Sequence, residues 1–93
     1  MICKAINFYA IEGKEDELKE LLTSLVAPSR IEQGCMRYEL FIYPNNKALF
    51  TIVEAWSDKV YLDAHMQTAH YYHYKANSQS LVAKKDGNDI QII

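Results

Sequence analysis

Cys35-Met-Arg-Tyr-Glu-Leu-Phe-Ile-Tyr-Pro-Asn-Asn-Lys-Ala-Leu-Phe-Thr-Ile-Val-Glu-Ala-Trp56 is the stretch that decides how this chain folds. Two runs rich in β-branched and aromatic residues, Cys35–Tyr43 and Ala48–Trp56, flank Pro44-Asn45-Asn46-Lys47, a link made of turn formers. That pattern predicts an antiparallel hairpin. In its second arm the period of two puts Phe50, Ile52, Glu54 and Trp56 on one face, and Leu49, Val53 and Ala55 on the other. Both faces are largely apolar, so both should be covered.

On the N-terminal side, Ile2–Ile11 reads as a strand ended by Gly13, and Lys14–Val26 as a helix. Leu18, Leu21, Leu22, Leu25 and Val26 follow the i, i+3, i+4, i+7, i+8 pattern, and Glu15, Asp16 and Glu17 suit the positive end of the helix dipole. Pro28 predicts a kink or a short second turn over 29–33, closed by Gly34 in the left-handed region. On the C-terminal side, Ser57 or Asp58 can cap a helix running to about Met66. After a break near Gln67-Thr68 it continues to about Ala83, with Lys84 and Lys85 at its end. Asp86-Gly87-Asn88 then reads as a turn and Asp89–Ile93 as a last strand.

The order β-α-β-β-α-β is the ferredoxin-like split βαβ arrangement, an α+β fold. Right-handed crossovers place both helices on one face of an antiparallel sheet. The other face is apolar too, and a sheet-to-sheet homodimer is the simplest cover. Ninety-three residues make one domain, and 49% of them are hydrophobic, a high share for so short a chain. That excess also points to a subunit contact.

A net charge of −2 with both signs scattered lacks the basic stripe that nucleic acid requires. Lys47–Val53 also lacks the glycines of the RNA-binding motif built on this topology. No apolar run approaches the length of a membrane span, and the first residues show no export signal. Cys3 and Cys35 form no C-x-x-C and read as small hydrophobes. The expectation is a cytoplasmic protein with no nucleic-acid or membrane partner.

All three histidines lie in Asp63–Lys75. Tyr71, Tyr74, Ser78, Leu81 and Val82 form a core stripe for the last helix, which puts His70 on its flank and turns His73 to solvent. Tyr61, Leu62, His65 and Met66 line an apolar face, so His65 is the imidazole best placed to look inward. The spacing H-x4-H-x2-H matches no zinc signature, and no H-E-x-x-H or nucleophile elbow is present. No metal is expected. Cys3, Ala5, Asn7 and Tyr9 share a face of the first strand, where the Asn7 amide, odd among hydrophobes, needs a partner such as a neighbouring backbone group. Glu54 beside Trp56 is a carboxylate among aromatics, a setting for an acid or base, unless Arg37 or a lysine neutralises it.

Gly34-Cys35-x-x-Tyr38, Glu54-x-Trp56 and Ala64-His65-x-x-Thr68-x-His70 together resemble the antibiotic biosynthesis monooxygenase (ABM) domain family, with Ala69 where proline is common. The resemblance covers nearly the whole chain. It implies a dimeric α/β barrel with a pocket between sheet and helices in each subunit. Members include cofactor-independent monooxygenases acting on quinols and polycyclic phenols, haem-degrading proteins, and an autoinducer-processing enzyme that is not an oxygenase, so fold alone does not settle function. The haem-degrading branch pairs a first-strand Asn with a Trp and an axial His. Asn7 matches, but His65 and Lys75 occupy the other two positions, which argues against haem. The expected activity is therefore cofactor-free oxygenation of a small electron-rich aromatic. His65 or His70 would act as base, and Asn7 and Tyr38 would donate hydrogen bonds. Trp56 and Phe50 would wall a slot that Glu54 and Tyr74 complete. An isomerase-like enzyme acting through His65 and Glu54, and a non-catalytic dimeric ligand-binding or stress module, are the alternatives.

Overall fold

The computed structural model describes residues 1–93. Its elements are β1 (Ile2–Ala10), α1 (Glu15–Arg30), β2 (Cys35–Tyr43), β3 (Asn46–Trp56), α2 (Lys59–His65), α3 (Ala69–Ser78) and β4 (Val82–Asp89). The strands form one antiparallel sheet in the order β2-β3-β1-β4, with the helices on one side. This is the expected ferredoxin-like arrangement. No helix is long and apolar enough to cross a membrane.

The leucine stripe of α1 buries Leu18, Leu21, Leu22 and Leu25 against Phe8, Phe50, Ile52 and Trp56 of the sheet. Pro28 does not kink the chain into a separate turn, as the sequence predicts; α1 runs through it to Arg30. The proline removes one ladder bond near the helix end, where burial of Leu25 and Ser29 holds the last turns in place. The link to β2 is then tight. Glu32 N–H bonds Ser29 O, Cys35 N–H bonds Glu32 O, and Ser57 N–H bonds Gly34 O. Gly34 has φ +82°, and a Cβ there would collide with the Tyr61 ring, so both conformation and space demand glycine.

Three expectations shift. The hairpin link is two residues, Pro44-Asn45, because β3 starts at Asn46 and a bulge at Ile42/Tyr43 absorbs the difference. The second helical region is indeed broken, with Asp58 capping α2 through the Val60 N–H (3.0 Å) and Thr68 capping α3 through the Tyr71 N–H (3.3 Å). But α3 ends at Ser78, and the last strand is Val82–Asp89 rather than Asp89–Ile93. Asp86-Gly87-Asn88 lies inside β4, paired with Asn7, Ile6 and Ala5. The free edge of β1 offers unpaired backbone groups to this polar segment, which overrides its poor intrinsic strand propensity.

The sheet face turned away from the helices carries a hydrogen-bonded row that crosses all four strands in order. The Tyr43 hydroxyl meets Thr51 Oγ1 at 2.6 Å, Thr51 donates to Asn7 Oδ1 at 2.6 Å, and Asn7 Nδ2 donates to Asp86 Oδ1 at 2.9 Å. Around this row the face is apolar, with Phe41 47% exposed and Leu49, Val53 and Ala5 half-buried.

Candidate functional site

Between the helix side of the sheet and the α2–α3 layer lies a cavity of about 430 Å³. Strand alternation aims Lys4, Ile6 and Phe8 of β1, Ile52 and Glu54 of β3, and Tyr38 of β2 into it. His65, Met66, Tyr71 and Tyr74 close it from the helical side, and Lys85 of β4 stands at its wall.

His65 is the chemical centre. Its ring is 1% exposed and packs against Trp56 (centroids 4.8 Å apart), Tyr71 (5.2 Å) and Tyr38 (5.6 Å). Nδ1 lies 2.7 Å from Glu32 Oε2, and His70 Nε2 lies 2.7 Å from the same oxygen. An ionised carboxylate only accepts, so both ring nitrogens facing it are donors. A neutral His65 then carries its lone pair on Nε2, which makes no hydrogen bond within the chain. These three residues are also the ones whose metal-ligand atoms converge, all within 4.8 Å of one another.

Glu54 is 5% exposed, and its Oε1 accepts the Trp56 indole N–H at 2.9 Å. Neither Arg37 nor a lysine forms an ion pair with it: Arg37 pairs with Glu39 at 3.4 Å, and Lys4, opposite Glu54 in the register, pairs with Asp89 at 2.7 Å. Three phenols feel this setting. Burial, reinforced by the Glu54 charge, pushes the Tyr38 hydroxyl far above its ordinary pKa and Tyr74 up to about 12. Burial raises Tyr71 as well, against the opposing Lys85 charge. All three are neutral donors at physiological pH. The Lys85 ammonium donates to the Tyr74 hydroxyl at 3.2 Å, which leaves the phenol proton free to point elsewhere.

Of the residues singled out from sequence, Tyr38, Glu54, His65 and Tyr74 line the cavity. Trp56 and Phe50 do not; both are buried core behind it, and Trp56 serves as the platform on which His65 rests. His70 is off the cavity wall but joined to His65 through Glu32, with its side chain 22% exposed. His73 is exposed, as expected, and its ring meets the Asn77 amide at 3.3 Å. Asn7 is a correction. The alternation that groups it with Cys3 and Ala5 sends it to the face opposite the cavity, where Thr51 and Asp86, not backbone, satisfy its amide. Glu32 has no counterpart in the sequence reading. It sits in an irregular turn, where no periodicity marks it, and it reaches His65 across 33 positions of chain. Lys85 escaped notice because its segment reads as a helix end rather than a strand.

An antiparallel ferredoxin-like sheet with a partly open, aromatic-lined cavity under its helices and one buried, carboxylate-anchored imidazole defines a small α+β domain. Residues 1–77 match the family model described as antibiotic biosynthesis monooxygenase, and the chain belongs to that family. It is 32% identical over 76 residues to YcnE of Bacillus subtilis, provisionally named a monooxygenase, with 78% of this chain and 80% of that protein covered. It is 31% identical over 83 residues to an uncharacterised Synechocystis protein, covering 89% of this chain but 56% of that relative, so it spans little more than half of the latter's length. A Pseudomonas aeruginosa crystal structure superposes with a TM-score of 0.94 at 27% identity, covering 99% of this chain and 93% of that one.

Proposed function

We propose that this protein is a monooxygenase that needs no cofactor and oxidises a small electron-rich aromatic, a quinol or polycyclic phenol, with dioxygen. The observation that carries the reading is His65: a buried imidazole on a largely apolar cavity, with one nitrogen fixed by Glu32 and the other free. The ring would enter between Ile6, Phe8 and Ile52 on the sheet and Tyr71 and Met66 opposite. His65 Nε2 takes the phenolic proton, and the electron-rich phenolate reduces dioxygen directly. One oxygen atom enters a ring C–H position and the other leaves as water with the two hydrogens removed, so a phenol becomes a quinone and supplies every electron itself. The neutral phenols of Tyr38 and Tyr74 stabilise the developing oxyanion in a water-poor site.

Glu32 and His70 extend the site outward. Both imidazoles donate to the shared carboxylate, so Glu32 balances the positive charge that His65 gains when it accepts the proton. Two further parts of the reading follow from the same fold. The apolar outer face with Phe41 supports a homodimer, closing the two sheets into an α/β barrel. The free thiols Cys3 and Cys35 suit a reducing, cytoplasmic setting.

Because Glu54 and His65 share one cavity, an isomerase-like proton transfer would use the same groups. Oxygen uptake by the purified protein with menadiol-type quinols separates the two. A rate above the spontaneous one in buffer supports oxygenation, and a rate equal to it ends the claim for those substrates.

A further inference from the structure

We infer that Glu32, His65 and His70 form a binding site for a borderline transition-metal ion such as Zn²⁺, and that the ion switches off the His65 base. The ligand atoms are His65 Nδ1, His70 Nε2 and a Glu32 carboxylate oxygen, mutually within 4.8 Å. Two imidazoles and one carboxylate are a set that favours zinc, cobalt, nickel or copper over magnesium or calcium. Three protein ligands with a fourth position open is the pattern of accessible zinc sites. Today both nitrogens meet one carboxylate oxygen at 2.7 Å. Ligands sharing a tetrahedral zinc at ~2.0–2.1 Å stand roughly 3.3 Å apart, so each nitrogen–oxygen separation must grow by about 0.6 Å while the two nitrogens, within 4.8 Å of each other, settle to that same spacing.

The site is built rather than incidental. His65 is wedged among Trp56, Tyr38 and Tyr71. Glu32 is held by backbone bonds on both sides of its turn. His70 sits in the first turn of α3, two residues after the Thr68 cap. The three come from separate segments, and all are at most partly exposed, with side chains 2%, 13% and 22% accessible.

The functional consequence follows from tautomers and rests on the base assigned to His65 above. With Glu32 accepting at Nδ1, Nε2 is a lone pair. A metal ion on Nδ1 takes that nitrogen's lone pair and leaves the hydrogen on Nε2, which is then a donor and cannot accept a proton. Ion binding therefore removes the base.

Binding is read without any substrate. Chelator-treated wild-type protein is titrated with Zn²⁺ by calorimetry and with Co²⁺ by visible d–d absorption. One ion per chain is expected, with tetrahedral cobalt bands. Glu32→Gln and His70→Ala should each weaken binding by at least about tenfold, since loss of even an outer-shell partner costs 10–100-fold. His73→Ala, remote from the cluster, should bind like wild type. Undetectable binding at ~100 µM ion, or equal affinity in Glu32→Gln and wild type with both folded by circular dichroism, would overturn the site. If the protein proves inactive on quinols, the calorimetric result still stands on its own. If it is active, Zn²⁺ at saturating levels should suppress oxygen uptake, and full activity of the loaded protein would refute the switch while leaving the site.

Discussion

The indole N–H of Trp56 donates to Glu54 Oε1 at 2.9 Å, although the two side chains stand only two residues apart on one face of β3. The bond explains why this pair of residue types occurs at this spacing. Trp56, fully buried, holds the carboxylate at the cavity wall through its edge N–H and packs its ring against that of His65. The Glu54 carboxylate and the His65 imidazole are thus positioned by one aromatic side chain.

Replacing Trp56 by Phe leaves a buried carboxylate oxygen without its donor, at a cost of about 1–3 kcal/mol. Denaturant unfolding of Trp56→Phe, Glu54→Gln and the double variant checks this. A coupling of at least ~0.5 kcal/mol is expected for groups in contact, and strict additivity would show that the bond contributes nothing.

Gly34→Ala should destabilise the fold by roughly 2 kcal/mol or more, combining a left-handed backbone conformation with the collision against Tyr61. Gly13, also at positive φ but with nothing near its absent Cβ, should lose about 1 kcal/mol on the same substitution. Thermal melts of the two variants should rank them in that order.

His65→Ala should lower kcat for quinol-dependent oxygen uptake by ~10²–10⁴-fold with little change in KM. Imidazole added to the solution should restore part of the rate, an effect that a merely structural histidine would not show.

Tyr74 titrates near 12 in the folded chain because burial favours its neutral form, whereas an unfolded tyrosine titrates near 10. Its contribution to stability is therefore complete below about pH 10 and is lost as pH climbs toward 12. Tyr74→Phe should flatten the fall in stability across that window. An identical alkaline profile in both proteins would contradict the assignment, as would a phenolate absorbance change of Tyr74 near pH 10.

Phe41→Glu places a charge on the outer sheet face, on the edge strand β2. If that face joins two copies, size-exclusion chromatography with light scattering should give a dimer for wild type and a monomer for the variant. A wild-type monomer at micromolar concentration would end the dimer proposal.

Local periodicity carried much of this molecule. The leucine stripe of α1, the breaks before α2 and α3, the hairpin and the inward turn of His65 all follow from residues within a turn or a strand of one another. The relation of Glu54 to Trp56 is equally local, since a period of two puts them on one face. The tertiary structure alone decided three things. It chose which face of β1 lies under the helices, sending Phe8 to the core and Asn7 to the outer surface. It brought Glu32 to His65 and His70 from an irregular turn. It also drew Val82–Asp89 onto the edge of β1, where the sequence pattern points to a strand starting only at Asp89. The reason is common to all three. A side-chain pattern records which residues share a face, whereas the covering of that face, the meeting of distant side chains and the filling of a sheet edge are settled by contacts between segments far apart in the chain.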